Sequence, residues 1–202
     1  MQLFITGTDT HVGKTIVSSW LCLHSNGSYF KPIQTGSLED IDSDMVYKLS
    51  HCLIHKEAYI YKEPLAPYLT ARLEKKPIDI HKIERPNSKN LIIEGAGGLM
   101  VPIDEKIFMI DLIDHLKVPV ILVARGTLGT INHTLLSIEA LRKRNIKLLG
   151  VIFSGALNHE NAKAIMTYGK VKILAELPFL PKINKQALLE IPFSKELKKI
   201  FK

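Results

Sequence analysis

Gln2-Leu-Phe-Ile-Thr-Gly-Thr-Asp-Thr-His-Val-Gly-Lys-Thr-Ile-Val-Ser-Ser-Trp-Leu-Cys-Leu23 opens the chain with a short apolar strand, a glycine-containing loop and an apolar helix. Residues 2 to 6 have strand length, and residues 14 to 23 carry the helical pattern. A loop between a strand and a helix N-terminus converges backbone N–H groups where the helix dipole favours an anion, which describes a phosphate loop. Lys14 is placed to reach β and γ phosphates and Thr15 to offer a hydroxyl to Mg²⁺. The first glycine comes one residue early, at Gly7, with Thr8 in the usual place.

Strand candidates at 2–6, 29–33, 90–94, 119–124, 148–153 and 172–176 alternate with helical patterns along the chain. That rhythm predicts an α/β fold with a doubly wound, mainly parallel sheet flanked by helices, of the P-loop NTPase type. No linker or charge block divides the sequence, so residues 1–202 are expected to form one domain. Pro64, Pro67, Pro77 and Pro86 break the region 57–88 into short pieces, with a short helix expected over Tyr68-Leu-Thr-Ala-Arg-Leu-Glu74.

A second glycine-rich piece, Ile92-Ile-Glu-Gly-Ala-Gly-Gly98, follows an apolar run of strand length. Ligands of open parallel sheets bind beyond the carboxyl ends of the strands, so Glu94 is expected beside Thr15 despite their separation in sequence. Gly95, Gly97 and Gly98 are expected to turn the backbone sharply against a ligand. Lys31-Pro-Ile-Gln-Thr-Gly36 supplies a third piece, in which Pro32 biases Lys31 toward an extended backbone and its ammonium toward an anion. Thr35 and Gly36 offer a hydroxyl and a flexible backbone for a small polar substrate. The acidic run Glu39-Asp-Ile-Asp-Ser-Asp44 leads into a helical pattern, and on its own reads as a first turn capped by Asp42 or Ser43.

Together these residues resemble the dethiobiotin synthetase family. The matches are Gly-Thr-Asp-Thr-x-Val-Gly-Lys-Thr (7–15), Lys-Pro-x-x-Thr-Gly (31–36), a Ser-Asp pair (43 and 44), Glu-Gly-Ala-Gly-Gly (94–98), Pro-Val-Ile-Leu-Val (119–123) and Leu-Gly-x-Ile-Asn-His (128–133). The resemblance implies Mg²⁺ held by Thr15, Asp44 and Glu94, hard oxygen ligands completed by phosphate and water. ATP would lie on His11, Val12, Gly13, Lys14, Thr15 and Ile16, beside Gly95, Ala96 and Gly97. Its base would meet Ser154, Gly155, Pro178, Phe179 and Leu180. Lys14 and Lys31 would be catalytic, flanking a carbamate and the γ phosphate, while Thr10 and Thr35 would contact 7,8-diaminopelargonate. The family is dimeric, and Leu128, Gly129, Thr130, Ile131 and Asn132 of one subunit would bind the carboxylate tail of a substrate in the other's site. Backbone donors at the start of that helix suit a carboxylate without any analogy.

The implied reaction is ATP- and Mg²⁺-dependent carboxylation of 7,8-diaminopelargonate with CO₂ or bicarbonate, closing the cyclic urea of dethiobiotin. Such chemistry depends on positioning and charge neutralisation and needs no nucleophilic Ser or Cys. Lys14→Ala or Lys31→Ala is expected to abolish most turnover and leave the fold intact. Two positions depart from the family. His11 stands where relatives often carry Glu, and reads as solvent-facing. Ser154-Gly155 stands where many relatives place an Asn that reads adenine, and a hydroxyl cannot make the paired contact of an amide. Either Asn158 reads the base from the next loop, or the site takes several nucleoside triphosphates.

A partner-regulated ATPase switch of the ParA or MinD type shares the sheet but carries an extra lysine early in the loop, where this chain has Thr8-Asp-Thr-His11. Cobyrinate-synthase-like ligases usually append a glutaminase domain, for which 202 residues leave no room. The net charge of +7 and pI near 9.3 raise nucleic-acid binding. Its densest stretches, Arg142-Lys-Arg-Asn-Ile-Lys147 and the terminal lysines, instead read as a helix end and an amphipathic helix, so no nucleic acid is expected. No apolar run approaches membrane-spanning length, Cys22 and Cys52 lack metal-ligand spacing, and eight histidines form no zinc pattern. A soluble cytoplasmic protein with no membrane partner is expected.

Overall fold

The computed structural model describes residues 1–38 and 41–202. Glu39 and Asp40, the start of the acidic run, lie outside them. In chain order the elements are β1 (Gln2–Gly7), α1 (Lys14–Ser25), β2 (Ser28–Phe30), β3 (Ile33–Gln34), α2 (Asp42–Ser50), β4 (Ile54–His55), β5 (Tyr59–Ile60) and α3 (Pro67–Leu73). There follow a 3₁₀ turn (Ile80–Lys82), β6 (Leu91–Gly98), α4 (Met109–Leu116), β7 (Val120–Ala124), α5 (Thr130–Lys143), β8 (Leu148–Gly155), α6 (His159–Gly169), β9 (Ile173–Pro178), α7 (Lys185–Glu190) and α8 (Lys195–Ile200).

Seven strands form one sheet in the order β4-β2-β6-β1-β7-β8-β9, and every pairing is parallel. Strands covered on both faces must be apolar at successive positions, as Val120-Ile-Leu-Val-Ala124 is. Side chains alternate between the faces. Leu3, Ile5, Ile92, Ile121, Val123 and Ile152 join the core under α1, α2, α7 and α8. Phe4, Leu91, Ile93 and Val120 point the other way, into the core with α4, and Leu122, Ala124, Val151 and Phe153 pack with α5 and α6.

Five of the six expected strands are present, the expected strand 29–33 divides around Lys31-Pro32 into β2 and β3, and the short helix in the proline-broken region forms as α3. Two further features differ from the sequence expectations. The chain does not turn after Glu94: β6 runs on to Gly98, which pairs with Gly7 across a register shift in β1. A Cβ on Gly98 would lie 3.2 Å from the Gly7 carbonyl oxygen, so glycine here permits close strand contact rather than a bend. In addition, β3 and β5 form a separate two-stranded parallel ribbon, through pairs too short to register as periodicity.

The basic stretch at the end of α5 is engaged within the chain. Arg142 donates to the carbonyls of Gly169 and Lys170 at 2.6 and 3.1 Å, closing the end of α6, and Arg144 pairs with Asp111.

Candidate active site

Three strand ends meet at one point because β6 lies between β2 and β1. From β1 the chain passes through the phosphate loop into α1, and β2 delivers Lys31. Gly13 has φ +93°, a conformation that costs a residue with a Cβ about 1–2 kcal/mol. An added Cβ there would also run into Ser154 at the end of β8. His11 adopts φ +55° and is exposed, and Val12 is buried beneath it.

Lys14 folds back over the loop and donates to the Asp9 carbonyl at 3.1 Å. Burial lowers its pKa to about 8, against the opposing pull of Glu94, with Lys31 adding to the lowering. A lysine so desolvated is stabilised strongly by an incoming phosphate.

The centre consists of Thr15, Lys31, Asp42 and Glu94. The Thr15 hydroxyl lies 2.8 Å from Asp42 Oδ1 and 3.1 Å from Glu94 Oε1. Lys31 Nζ is 2.6 Å from Asp42 Oδ2 and 3.1 Å from Glu94 Oε1, and it reaches the Gly95 carbonyl at 3.4 Å. Lys31 and Glu94 are almost wholly buried. Burial disfavours the Lys31 ammonium, but Glu94 and Asp42 outweigh it and its pKa stands above the ordinary lysine value. Burial likewise disfavours the Asp42 carboxylate, yet Lys31 overcomes this and holds it below the usual range. Lys31 and Asp42 thus each favour the charged form of the other.

Asp42, not Asp44, is the aspartate at this centre. Successive helix residues are about 100° apart, so positions 42, 46 and 49 share one face, and Val46 and Leu49 are its buried residues. Asp44 falls on the opposite side and is exposed. Nor is Asp42 or Ser43 the cap of α2. The N-cap is Ile41, the Asp42 N–H donates to Gln34 Oε1 at 3.2 Å, and Ser43 bonds Glu57.

The chain matches a family model described as an AAA domain over residues 1–187. It is 56% identical over 201 residues to a protein of Lawsonia intracellularis named ATP-dependent dethiobiotin synthetase BioD, spanning 100% of this chain and 99% of that one. A protein of the same name from Paramagnetospirillum magneticum is 46% identical and covers 94% of each chain. The chain belongs to the dethiobiotin synthetase family. Its fold is that of a ParA family ATPase from Chlorobium tepidum, with TM-score 0.56 at 10% identity over 99% of this chain and 95% of that one. The early lysine of such switches is missing here, and the full-length synthetase relatives favour the ligase over the switch.

The remaining positions implied by dethiobiotin synthetase resemblance are distributed around this centre. Thr10 lies over Gly97, where a Cβ would stand 3.6 Å from its hydroxyl. Ala96 and Gly95 continue β6 above Glu94, Ile16 follows Thr15 on α1, and Thr35 is half-buried between β3 and Gly36. Ser154 and Gly155 pair with Leu177 and Pro178 across β8 and β9, which gathers Ser154, Gly155, Pro178, Phe179 and Leu180 along one rim beside Gly13. Asn158 is engaged elsewhere: its side-chain oxygen accepts from the Asn161 N–H as the N-cap of α6. Leu128 is fully exposed, and Gly129, with φ +89° and no capping side chain, opens α5 at Thr130, Ile131 and Asn132.

Sequence reasoning missed Ser18, Tyr29 and Gln34. Ser18 is one helical turn beyond Thr15, and Tyr29 is two residues before Lys31 on an extended segment, so periodicity placed each on the same face as a site residue.

Proposed function

We propose that this protein closes the ureido ring of dethiobiotin from 7,8-diaminopelargonate, CO₂ or bicarbonate and ATP. The observation that carries the reading is the convergence of Lys14, Thr15, Lys31, Asp42 and Glu94 at the mouth of a phosphate loop, in a chain 56% identical to a named dethiobiotin synthetase over its full length.

Mg²⁺ fits the donor set. The oxygens of Thr15, Asp42 and Glu94 are hard ligands, and no cluster of three or more His, Cys, Asp or Glu capable of holding a metal occurs among the described residues. Such a site draws the rest of its shell from phosphates and water, as Mg²⁺ at nucleotide sites commonly does. When bound, the metal neutralises phosphate charge and orients the triphosphate.

The loop N–H groups and the α1 N-terminus hold the phosphates, and Lys14 exchanges the Asp9 carbonyl for phosphate oxygen. One substrate amine adds to CO₂, giving a carbamate. Lys31 attracts this anion and holds it in line with the γ phosphorus, which a carbamate oxygen attacks with departure of ADP. The second amine then attacks the carbamic-phosphoric anhydride, phosphate leaves and the five-membered cyclic urea forms. Thr10 and Thr35 orient the diamine.

The working unit in this reading is a homodimer. The first turn of α5, Leu128 to Asn132, presents backbone donors to the carboxylate tail of a substrate in a second copy, which accounts for a fully exposed Leu128. The Ser154 rim offers the base a hydroxyl, and with Asn158 committed to a cap this favours acceptance of several nucleoside triphosphates. No helix among the described residues is long and apolar enough to cross a membrane.

The decisive experiment follows phosphate release with Mg-ATP and bicarbonate, with and without the diamine, and identifies dethiobiotin by mass. Release that depends on the diamine and matches dethiobiotin formed is expected. Hydrolysis indifferent to the diamine would overturn the reading. Repeating the assay with GTP and CTP tests the base rim.

A further inference from the structure

The two oxygens of Glu94 are divided between two tasks. Oε2 accepts from Ser18 Oγ at 2.7 Å and from Tyr29 Oη at 3.1 Å. Oε1 faces Thr15 Oγ1 and Lys31 Nζ, both at 3.1 Å. Ser18 and Tyr29 are completely buried, and Glu94 is 1% exposed.

A buried carboxylate oxygen that holds two buried donors does not leave them cheaply, because each hydroxyl would be stranded without a partner. Burial, and then the Glu94 charge, drives the Tyr29 phenol well above its ordinary pKa, so it stays a donor at any physiological pH. Ser18 is fixed on α1 and Tyr29 on β2, two rigid elements on either side of the carboxylate. Glu94 is thus presented with one oxygen toward the phosphate loop and the other tied back into the core.

Divalent cations differ in what they ask of such a group. Mg²⁺ takes six ligands in a tight octahedron at about 2.0–2.1 Å and accepts one oxygen per carboxylate, whereas Ca²⁺ takes 6–8 oxygens at about 2.3–2.6 Å and often both oxygens of one carboxylate. We propose that Ser18 and Tyr29 are positioning residues that hold Glu94 as a one-oxygen ligand and thereby set the preference of the nucleotide site for Mg²⁺ over Ca²⁺. The inference rests on the functional reading only in requiring that a metal-nucleotide binds at this loop.

The test measures binding of a non-hydrolysable ATP analogue to the full chain by calorimetry, with either Mg²⁺ or Ca²⁺, for wild type, Ser18→Ala, Tyr29→Phe and the double variant. Wild type is expected to bind the Mg²⁺ complex more tightly. The double variant should lose about tenfold of that ratio, through weaker Mg²⁺ and retained Ca²⁺ binding. Equal loss with both metals would overturn the proposal, since hydroxyls that only stabilise buried charge do not discriminate between cations. Should the double variant fail to fold, Tyr29→Phe, which removes one oxygen and keeps the ring, is read alone, and an unchanged ratio there overturns the proposal. A wild-type protein that binds neither complex would instead refute the nucleotide reading itself.

Discussion

The Lys31 ammonium lies 2.6 Å from the Asp42 carboxylate, joining the end of β2 to the first turn of α2 across the mouth of the phosphate loop. Eleven positions separate the two residues in sequence. The contact places Asp42 at the proposed reacting centre and leaves Asp44, two residues on, in solvent.

Asp42→Asn is therefore expected to lower turnover by about 10²–10³, the usual effect of removing one electrostatic contributor to such a centre. Asp44→Asn should stay within about twofold of wild type. Titrating Mg²⁺ in steady-state assays of both variants checks this, and a silent Asp42→Asn would remove that residue from the site.

Lys31 carries a structural load as well as a chemical one. Its removal leaves Glu94 and Asp42 facing each other, with Glu94 fully buried. Breaking a buried pair from one side costs about 3–5 kcal/mol, and the partial exposure of Asp42 places this case at the lower end. Lys31→Ala should lose most turnover and also melt lower by roughly 6–12 °C, at about 2–4 °C per kcal/mol for a domain of this size. The fold itself is expected to stay intact in this variant, at a lower melting temperature. Millimolar Mg²⁺ should recover part of the loss by re-supplying positive charge, and melting curves with and without the metal decide the point.

Gly13→Ala combines a left-handed backbone with a collision against Ser154. It should weaken nucleotide binding severely. Adding Ser154→Gly removes the collision but not the backbone strain, so partial recovery is expected. Binding titrations of the single and double variants measure the split, and full recovery would show that strain contributes nothing.

Much of the sheet was legible because parallel strands covered on both faces must be apolar, and runs such as Val120–Ala124 satisfy little else. The phosphate loop was legible from Gly13-Lys14-Thr15 between a strand and a helix. Asp42 was misread for a different reason: the motif match at Ser43-Asp44 pointed to Asp44, whereas helical periodicity puts Asp42 on the buried face. Val46 and Leu49 already marked the inward face, and Asp42 shares it. Strands β3, β4 and β5 have two residues each and carry no periodic signal at all. The inter-element contacts of Glu94 with Ser18 and Tyr29 needed the sheet order, which no local pattern encodes.

Away from the site, Cys22 and Cys52 form a coupled pair of thiols lining one cavity of about 520 Å³. The Cys22 side chain beside it lowers the Cys52 pKa to about 7, with burial opposing and Ser50 assisting, while the Cys22 thiol itself donates to the Ser28 carbonyl at 3.8 Å. The Cys52 side chain, together with burial, pushes the Cys22 thiol well up. The thiolate is the nucleophile, so the two residues should differ in rate rather than share reactivity. Iodoacetamide is expected to modify Cys52 with a midpoint near pH 7 while Cys22 stays protected until the protein unfolds. In Cys22→Ala the neighbouring thiol is gone, and the Cys52 midpoint should rise toward the ordinary thiol value of about 8.5. Peptide mapping by mass spectrometry across a pH series reads both sites at once. A Cys52 midpoint unmoved by Cys22→Ala would show that the neighbouring thiol does not set its acidity.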